Sequence, residues 1–299
     1  MIITTYLNPD IDGVSCCIAY SEFLRKKGLK AKACICGHPN LEAKFVLDKF
    51  KVKSEGCADF LNEQIVIVDM SKPEDLCSKI DPKQVVEIID HRKYTKLGAF
   101  QNAKSQIELV GSCATLIAEK YKSEKIEVKK EYAGLLYSAI VSNTINFKNN
   151  VTTKRDIAMA KWLNEKLGLD ERYTREMFEF KSRIKDIKKA LIDDFVEYQD
   201  FNVGIAQLEI IAAEKFVGKH IQEVKKVLSE IKSERKLEYI FLTAIDVIEG
   251  YNIFVCVDDK SQKILSPLKI NFKDNIAKRD GIIMRKEIVP LIKELFNKK

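Results

Sequence analysis

Three short strand-like runs in this chain lead into acids. Residues 2–6 lead through Asn8-Pro9 into Asp10 and Asp12. Ile65–Val68 ends in Asp69, and residues 85–89 end in Asp90, followed by His91 and Arg92. If these runs are parallel strands of one sheet, their carboxyl ends share an edge, where ligands bind in open α/β sheets. Carboxylates gathered there repel one another unless a cation compensates. Hard oxygens with one imidazole suit Mg²⁺ or Mn²⁺ better than a thiol-seeking metal. Two such ions about 3.5–4 Å apart would activate a water and neutralise a phosphoryl group. Taken singly, an Asp after a buried strand commonly caps a helix, so the conjunction of three strand ends carries the signal.

The elements that must position these residues follow from periodicity. Residues 12–27 show helical spacing, 32–36 a strand and 40–49 a helix. Ile65–Val68 is a continuous apolar run, the mark of a strand buried on both faces, and 85–89 is apolar apart from Glu87. Strands alternating with helices predict βαβ units and a parallel sheet with helices on both faces. From residue 113 the pattern turns helical, over 114–121, 131–142, 153–167 and 173–190. A second alternating region begins near 202: strands at 202–210, 238–247 and 252–257, helices at 213–232 and 282–296. The expected architecture is an α/β domain over 1–190 and a smaller α+β domain over 196–299.

Composition sets outer limits. The chain has 299 residues, 46% hydrophobic and 32% charged, so it can bury a full core without staples. Its net charge of +7 permits an anionic substrate without demanding nucleic acid, and no aromatic-basic stripe points to one. No apolar run approaches the ~18–20 residues of a membrane helix. The start MIITTYLNPD lacks the features of a signal peptide, which predicts a cytoplasmic protein. The eight cysteines form no CxxC pair, and buried free thiols are the expectation, without a zinc site. There are three histidines, His38, His91 and His220, and only His91 sits at a strand end.

The blocks NPDIDG, IVIVD and IIDHR follow in the order of the signature motifs of the DHH phosphoesterase superfamily. ELVGSCATLI and AGLLYSAIVSNTINFKNNVTTKRD resemble later blocks of the manganese-dependent (family II) inorganic pyrophosphatases. FNVGIAQLEI and GIIMRKEIVP resemble the second domain of those enzymes and of short-chain exopolyphosphatases. The resemblance covers nearly the whole chain. It implies metal ligands at Asp10, Asp12, Asp69 and His91, with Asp69 bridging two ions and Asp90 beside them. It also implies a homodimer formed through an edge strand of the first domain.

The match is incomplete. The family's leading histidine is Tyr6 here, a neutral phenol. A family aspartate is Asn143, which offers only a carbonyl oxygen. The family's second DHH histidine is Arg92, as in the prune branch, and a lysine near the connector is Val196. Arg92 can still pair bidentately with phosphate oxygens. Losing an imidazole and a negative charge shifts the expected metal toward Mg²⁺. Lys148, Arg285 and Lys286 are candidate substrate contacts, joined by Arg92 in a cleft between the domains. Lys154-Arg155, His38 and the Gly111-Ser112-Cys113 turn before a helix are further candidates, each with a plain structural alternative.

The resemblance thus implies a metal-dependent phosphohydrolase. Activated water would attack phosphorus in line, with Asp69, Arg92 and Asn143 at the reacting centre and Mg²⁺ or Mn²⁺ as cofactor. Its substrate would be pyrophosphate, a short polyphosphate or a related phosphate ester. Two other readings remain open. One is a relative that has lost catalysis and binds a ligand or partner. The other is a RecJ-like nuclease or nucleotide phosphodiesterase.

Overall fold

The computed structural model of the chain describes residues 1–57, 60–93 and 95–297. It separates into two compact units: Met1–Phe147 with Val151–Phe180, and Lys148–Asn150 with Lys181–Lys299.

The first unit alternates as the periodicity predicts. It runs β1 (Ile2–Thr4), α1 (Ile11–Lys26), β2 (Lys32–Ala33), α2 (Leu41–Lys49), β3 (Ile65–Val68), β4 (Val85–Asp90) and β5 (Lys104–Ile107). Four helices follow: α3 (Cys113–Ser123), α4 (Lys130–Asn143), α5 (Lys154–Leu167) and α6 (Glu171–Lys181). The sheet is parallel throughout, in the order β2-β1-β3-β4-β5. β3 lies at its centre and is fully buried, as its unbroken IVIV run requires.

Successive side chains of a strand face opposite sides of the sheet. Ile65 and Ile67 join Ile2, Val85 and Ile88 in one core. That face is covered by Leu76, Leu97 and Phe100, on or beside single-turn 3₁₀ helices, among them Pro73–Asp75 and Leu97–Ala99. The longer helices α1 and α3 pack against the strands, and α1 also packs on α3 and α4. Because α1 is enclosed by strands and helices, every residue from Ile11 to Leu24 is buried. β5 has the polar sequence KSQI and lies at the sheet edge, which is why hydrophobic periodicity does not reveal it.

The second unit holds α7 (Ile187–Asp193), β6 (Phe195–Tyr198), β7 (Val203–Ile210), α8 (Ala213–Glu234), β8 (Tyr239–Asp246), β9 (Tyr251–Cys256), α9 (Asp259–Lys263), β10 (Ile276–Asp280) and α10 (Arg285–Asn297). Its sheet is mixed, in the order β10-β9-β8-β7-β6, and only β7 and β8 run parallel, joined by α8. The helix predicted over 173–190 is two helices, α6 and α7. Ile187 and Leu191 of α7 are buried with Val224, Leu228 and Leu242 of the second unit. Residues 181–190, placed with the first domain by the sequence pattern, therefore belong with the second. Among the described residues, no helix is long and apolar enough to cross a membrane.

The cysteines depart from expectation. Cys34 and Cys57 form a disulfide. The chain beyond β2 pairs with the segment before Cys57, through a parallel bridge between Ile35 and Gly56 and a bond from Ile35 N–H to Glu55 O at 3.0 Å. Hydropathy carries no trace of that long-range pairing.

Candidate metal centre

Asp10 sits in the turn after β1. Its Oδ1 accepts from the backbone N–H of Asp12 at 2.8 Å and of Gly13 at 3.2 Å, so it caps α1. Asp12 falls in the first turn of that helix and is fully buried. Asp69 follows β3 in a left-handed conformation, φ +55°, which Asp tolerates better than most residues. Its backbone N–H still bonds to Ile89 O at 2.8 Å, holding it beside the end of β4. Asp90 ends β4, and His91 and Arg92 come next.

The strand ends bring three of these groups together. Asp12, Asp69 and His91 each offer a ligand atom, all within 4.8 Å of one another. His91 Nε2 is 3.3 Å from Asp69 Oδ1 and 3.9 Å from Asp12 Oδ2. The other ring nitrogen, Nδ1, lies 2.9 Å from Val110 O, and donating to that carbonyl turns Nε2 toward the acids. Asp69 Oδ1 is buried and has no hydrogen bond among the described residues. Its neighbours are the His91 imidazole at 3.3 Å and the Arg92 guanidinium at 3.7 Å, and a buried carboxylate is costly unless a cation offsets it. The donor set therefore fits a divalent metal ion.

Electrostatics point the same way. Burial pushes the Asp69 carboxyl up to about 7; Asp12 adds to the rise, while Arg92 and His91 oppose it. Burial also raises Asp12, against the pull of His91. Burial would lower His91, but the adjoining carboxylates of Asp69 and Asp12 outweigh it and push the imidazole up to about 9. Without a metal, the imidazolium supplies the positive charge.

Asp12 is held by a cradle that sequence reading only partly detected. Its Oδ1 accepts from Ser112 Oγ at 2.9 Å, Ala114 N at 2.9 Å and Cys16 Sγ at 3.4 Å. Its Oδ2 accepts from Cys113 N at 2.8 Å and Asn143 Nδ2 at 2.5 Å. The Gly111-Ser112-Cys113 turn does open a helix that binds an anion, and the anion is the Asp12 side chain. Asn143 ends α4, ahead of three consecutive left-handed residues, Ile145, Asn146 and Phe147.

Arg92 occupies the neighbouring ground. Its guanidinium is 3.7 Å from Asp69 Oδ1, 3.8 Å from Asp90 Oδ1 and 4.0 Å from Asp75 Oδ2. It lies over the Tyr6 ring, 5.2 Å from the centroid. Burial works against its charge, but Asp69, Asp90 and Asp10 outweigh burial and keep it firmly protonated. Burial, then Asp10 and Asp69, raise the Tyr6 phenol well above its ordinary value, and its oxygen accepts from Asp10 N at 3.3 Å. Asp90 is fully engaged: Ser71 donates to Oδ2 at 2.5 Å and His91 N to Oδ1 at 2.8 Å. Ser71 and Asp75, which complete this shell, carried no local signal.

The remaining candidates are described by their own partners. Arg285 donates to Asp194 O at 2.8 Å and to Asp194 Oδ1 at 2.6 Å, which ties the start of α10 to the entry of β6. Lys148 Nζ donates to Ile248 O, and Lys286 is exposed on α10. All three belong to the second unit. Arg155 is paired with Glu108 and Glu119. His38 is exposed, and its backbone N–H donates to Asn8 Oδ1. Gly37, at φ +78°, allows that approach, because a Cβ there would lie 2.3 Å from Asn8 Oδ1.

Comparison with known proteins places this geometry. Residues 1–140 match the DHH family, N-terminal domain. The chain is 29% identical to a "Probable manganese-dependent inorganic pyrophosphatase" of Bacillus velezensis, over 98% of this chain and 97% of that one. It is 28% identical to the manganese-dependent inorganic pyrophosphatase of Bacillus subtilis, with the same coverage. Among solved structures, the "Methanococcus jannaschii putative family II inorganic pyrophosphatase" superimposes with a TM-score of 0.81 and 28% identity, covering 99% of this chain and 100% of that one. The first 140 residues thus match the DHH family's N-terminal domain, and along nearly its whole length the chain is similar to manganese-dependent inorganic pyrophosphatases.

Proposed function

We propose that the chain is a divalent-metal-dependent phosphohydrolase acting on a phosphoanhydride, with pyrophosphate or a short polyphosphate as substrate. The observation that carries this is the convergence of Asp12, Asp69 and His91, whose ligand atoms all lie within 4.8 Å of one another, with Arg92 alongside. Bound Mn²⁺ or Mg²⁺ would lower the pKa of a water and offset charge on a phosphoryl oxygen.

The chain's own residues set up the rest. Asp69 and His91 would hold the ion, with Asp12 completing the set. Asn143 and the N-terminus of α3 orient Asp12, and the α3 N–H bonds oppose the rise that burial gives its carboxyl. Asp90 fixes the backbone at His91. Arg92, a third exposed, presents its guanidinium fork to phosphate oxygens and stabilises charge on the transferring group. Sequence reading expected two ions. The geometry favours one, because Asp10 is spent as a helix cap, Tyr6 is neutral, and Arg92 already supplies a positive charge beside Asp69. Lys148 and Lys286 are proposed as outer contacts for the anion. The proposed division of labour puts the metal and Arg92 on the first domain and further anion contacts on the second. A homodimer through edge strand β5 is a further proposal, which sedimentation would check.

One observation favours a second reading, a non-hydrolytic ligand binder. Asp12 accepts from five donors, and both Oδ2 bonds come from strong N–H groups. A carboxylate so occupied coordinates a metal weakly. The deciding experiment measures metal content after purification without chelator, and phosphate release from pyrophosphate and tripolyphosphate with Mn²⁺ and with Mg²⁺. Metal binding with phosphate release supports the hydrolase. Neither metal nor release would sink it in favour of the second reading.

A further inference from the structure

Half of the cysteines gather at one place away from the carboxylates. Cys34 and Cys57 are joined, and Cys36 Sγ lies 3.6 Å from Cys57 Sγ. Cys77 packs against the same core cluster as Cys36 and lies near enough to raise its thiol. Three separate segments supply these sulfurs: the chain just beyond β2, the bridge segment at Gly56, and the loop after the Pro73–Asp75 turn. All four pack on the core face that contains Ile65 and Ile67. Cys34 and Cys36 are buried, while Cys57 and Cys77 are partly open to solvent, which leaves an entry path.

A disulfide accounts for two of these sulfurs and leaves the Cys36 thiol 3.6 Å from it, with Cys77 beside Cys36. A tetrathiolate metal site accounts for all four. In a tetrahedral zinc site with Zn–S near 2.3 Å, neighbouring sulfurs are about 3.7–3.8 Å apart, close to the Cys36–Cys57 separation. We propose that Cys34, Cys36, Cys57 and Cys77, with the disulfide reduced, form a tetrathiolate site for one soft divalent ion of the zinc class.

The chemistry balances in two steps. A phosphine or dithiol reductant gives two electrons to the Cys34–Cys57 bond. That bond breaks, each sulfur takes a proton, and the reductant leaves oxidised. Four thiols then lose four protons to solvent as four sulfur–metal bonds form. Thr4 and Lys79 are suited to support the thiolates. Thr4 Oγ1 donates to Cys34 O at 2.9 Å and touches Cys36 Sγ at 3.7 Å. Lys79 exerts a charge that favours the Cys36 thiolate, although burial dominates and pushes the free thiol up to about 11. The ion would fasten segments with little regular structure of their own, a usual role of structural zinc. Metal lability here would follow the redox state of the surroundings, independently of the carboxylate site.

The test uses the full chain, reduced with a phosphine and titrated with Co²⁺. The expected result is thiolate-to-cobalt charge-transfer absorption that saturates at one ion and bleaches when Zn²⁺ is added. The Asp12–Asp69–His91 set has no sulfur ligand and cannot give that absorption. Cys36→Ser and Cys77→Ser should each weaken the band or remove it. No charge-transfer band in the reduced wild-type chain would overturn the proposal, whatever the variants do. So would an unchanged band in the Cys36→Ser/Cys77→Ser double variant. Purification of a brown chain with iron and acid-labile sulfide would overturn the zinc-class assignment.

Discussion

Asn143 donates its carboxamide hydrogen to Asp12 Oδ2 across 2.5 Å, joining the end of α4 to the start of α1. A carboxylate at 143 would instead face Asp12 with like charge. Asn143→Asp should therefore lower the melting temperature of chelated protein. With Mn²⁺ present it should raise metal affinity and phosphate release, because the repulsion becomes a fourth ligand. Calorimetry with and without chelator checks both halves. Unchanged Mn²⁺ affinity would remove residue 143 from the metal's surroundings.

Asp69 Oδ1 is buried without a hydrogen bond among the described residues, so its charge should dominate ion binding. Changes to groups that merely support a metal ligand cost about 10–100-fold in affinity. Asp69→Asn should cost more than about 100-fold and abolish phosphate release. Mn²⁺ titration by electron paramagnetic resonance reads the first effect directly, since free Mn²⁺ gives the sharp signal.

Arg92 tests the role of the guanidinium. Arg92→Lys keeps the charge and loses the fork. The expected outcome is a KM for pyrophosphate raised about 10–100-fold, the scale of one charge-assisted bond. Stability should change little. Equal falls in kcat with KM unchanged would assign Arg92 to the transition state alone.

His91 predicts a pH effect in the chelated protein. Its folded pKa, about 9, lies above the ordinary value near 6.5. The folded state then binds the extra proton between those values. That stability is fully present below pH 6.5 and is lost as pH rises toward 9. Melting temperature should fall across that window without metal. Saturating Mn²⁺ should flatten the fall, because the ion takes the place of the proton. A flat profile for the chelated protein would contradict the imidazolium.

Arg285 makes the opposite prediction. Its guanidinium is spent on Asp194, and its backbone N–H on Gln207 Oε1 at 2.9 Å. Arg285→Ala should cost about 1–3 kcal/mol of stability. KM for pyrophosphate should stay put. A raised KM in a stably folded variant would return Arg285 to the substrate.

The metal-bearing edge was legible because its residues are announced locally. Asp69 and Asp90-His91 directly follow apolar runs, and Asp10 follows a turn. Edge strands β5, β6 and β10 were missed because half-exposed strands carry no continuous apolar run. Helix 173–190 was read as unbroken because charged residues at 182–186 fit a solvated helix as well as a loop. The Asp12 cradle was harder. Cys113 and Asn143 lie 101 and 131 residues away, and a backbone N–H leaves no mark in the sequence. Asn143 came into view through family resemblance alone. The four-cysteine cluster escaped because its members are spread from 34 to 77 and meet only through strand pairing.

The order β2-β1-β3-β4-β5 has one more consequence. The acids leave from three adjoining strands, whose spacing is set by backbone hydrogen bonding at about 4.8 Å. The spacing of the segments that carry the donors is thus a property of the peptide backbone. Such a frame lets side chains be exchanged one at a time, His for Tyr or Asp for Asn, without moving the others. Drift in this lineage would then alter the chemistry of the edge while leaving its dimensions intact.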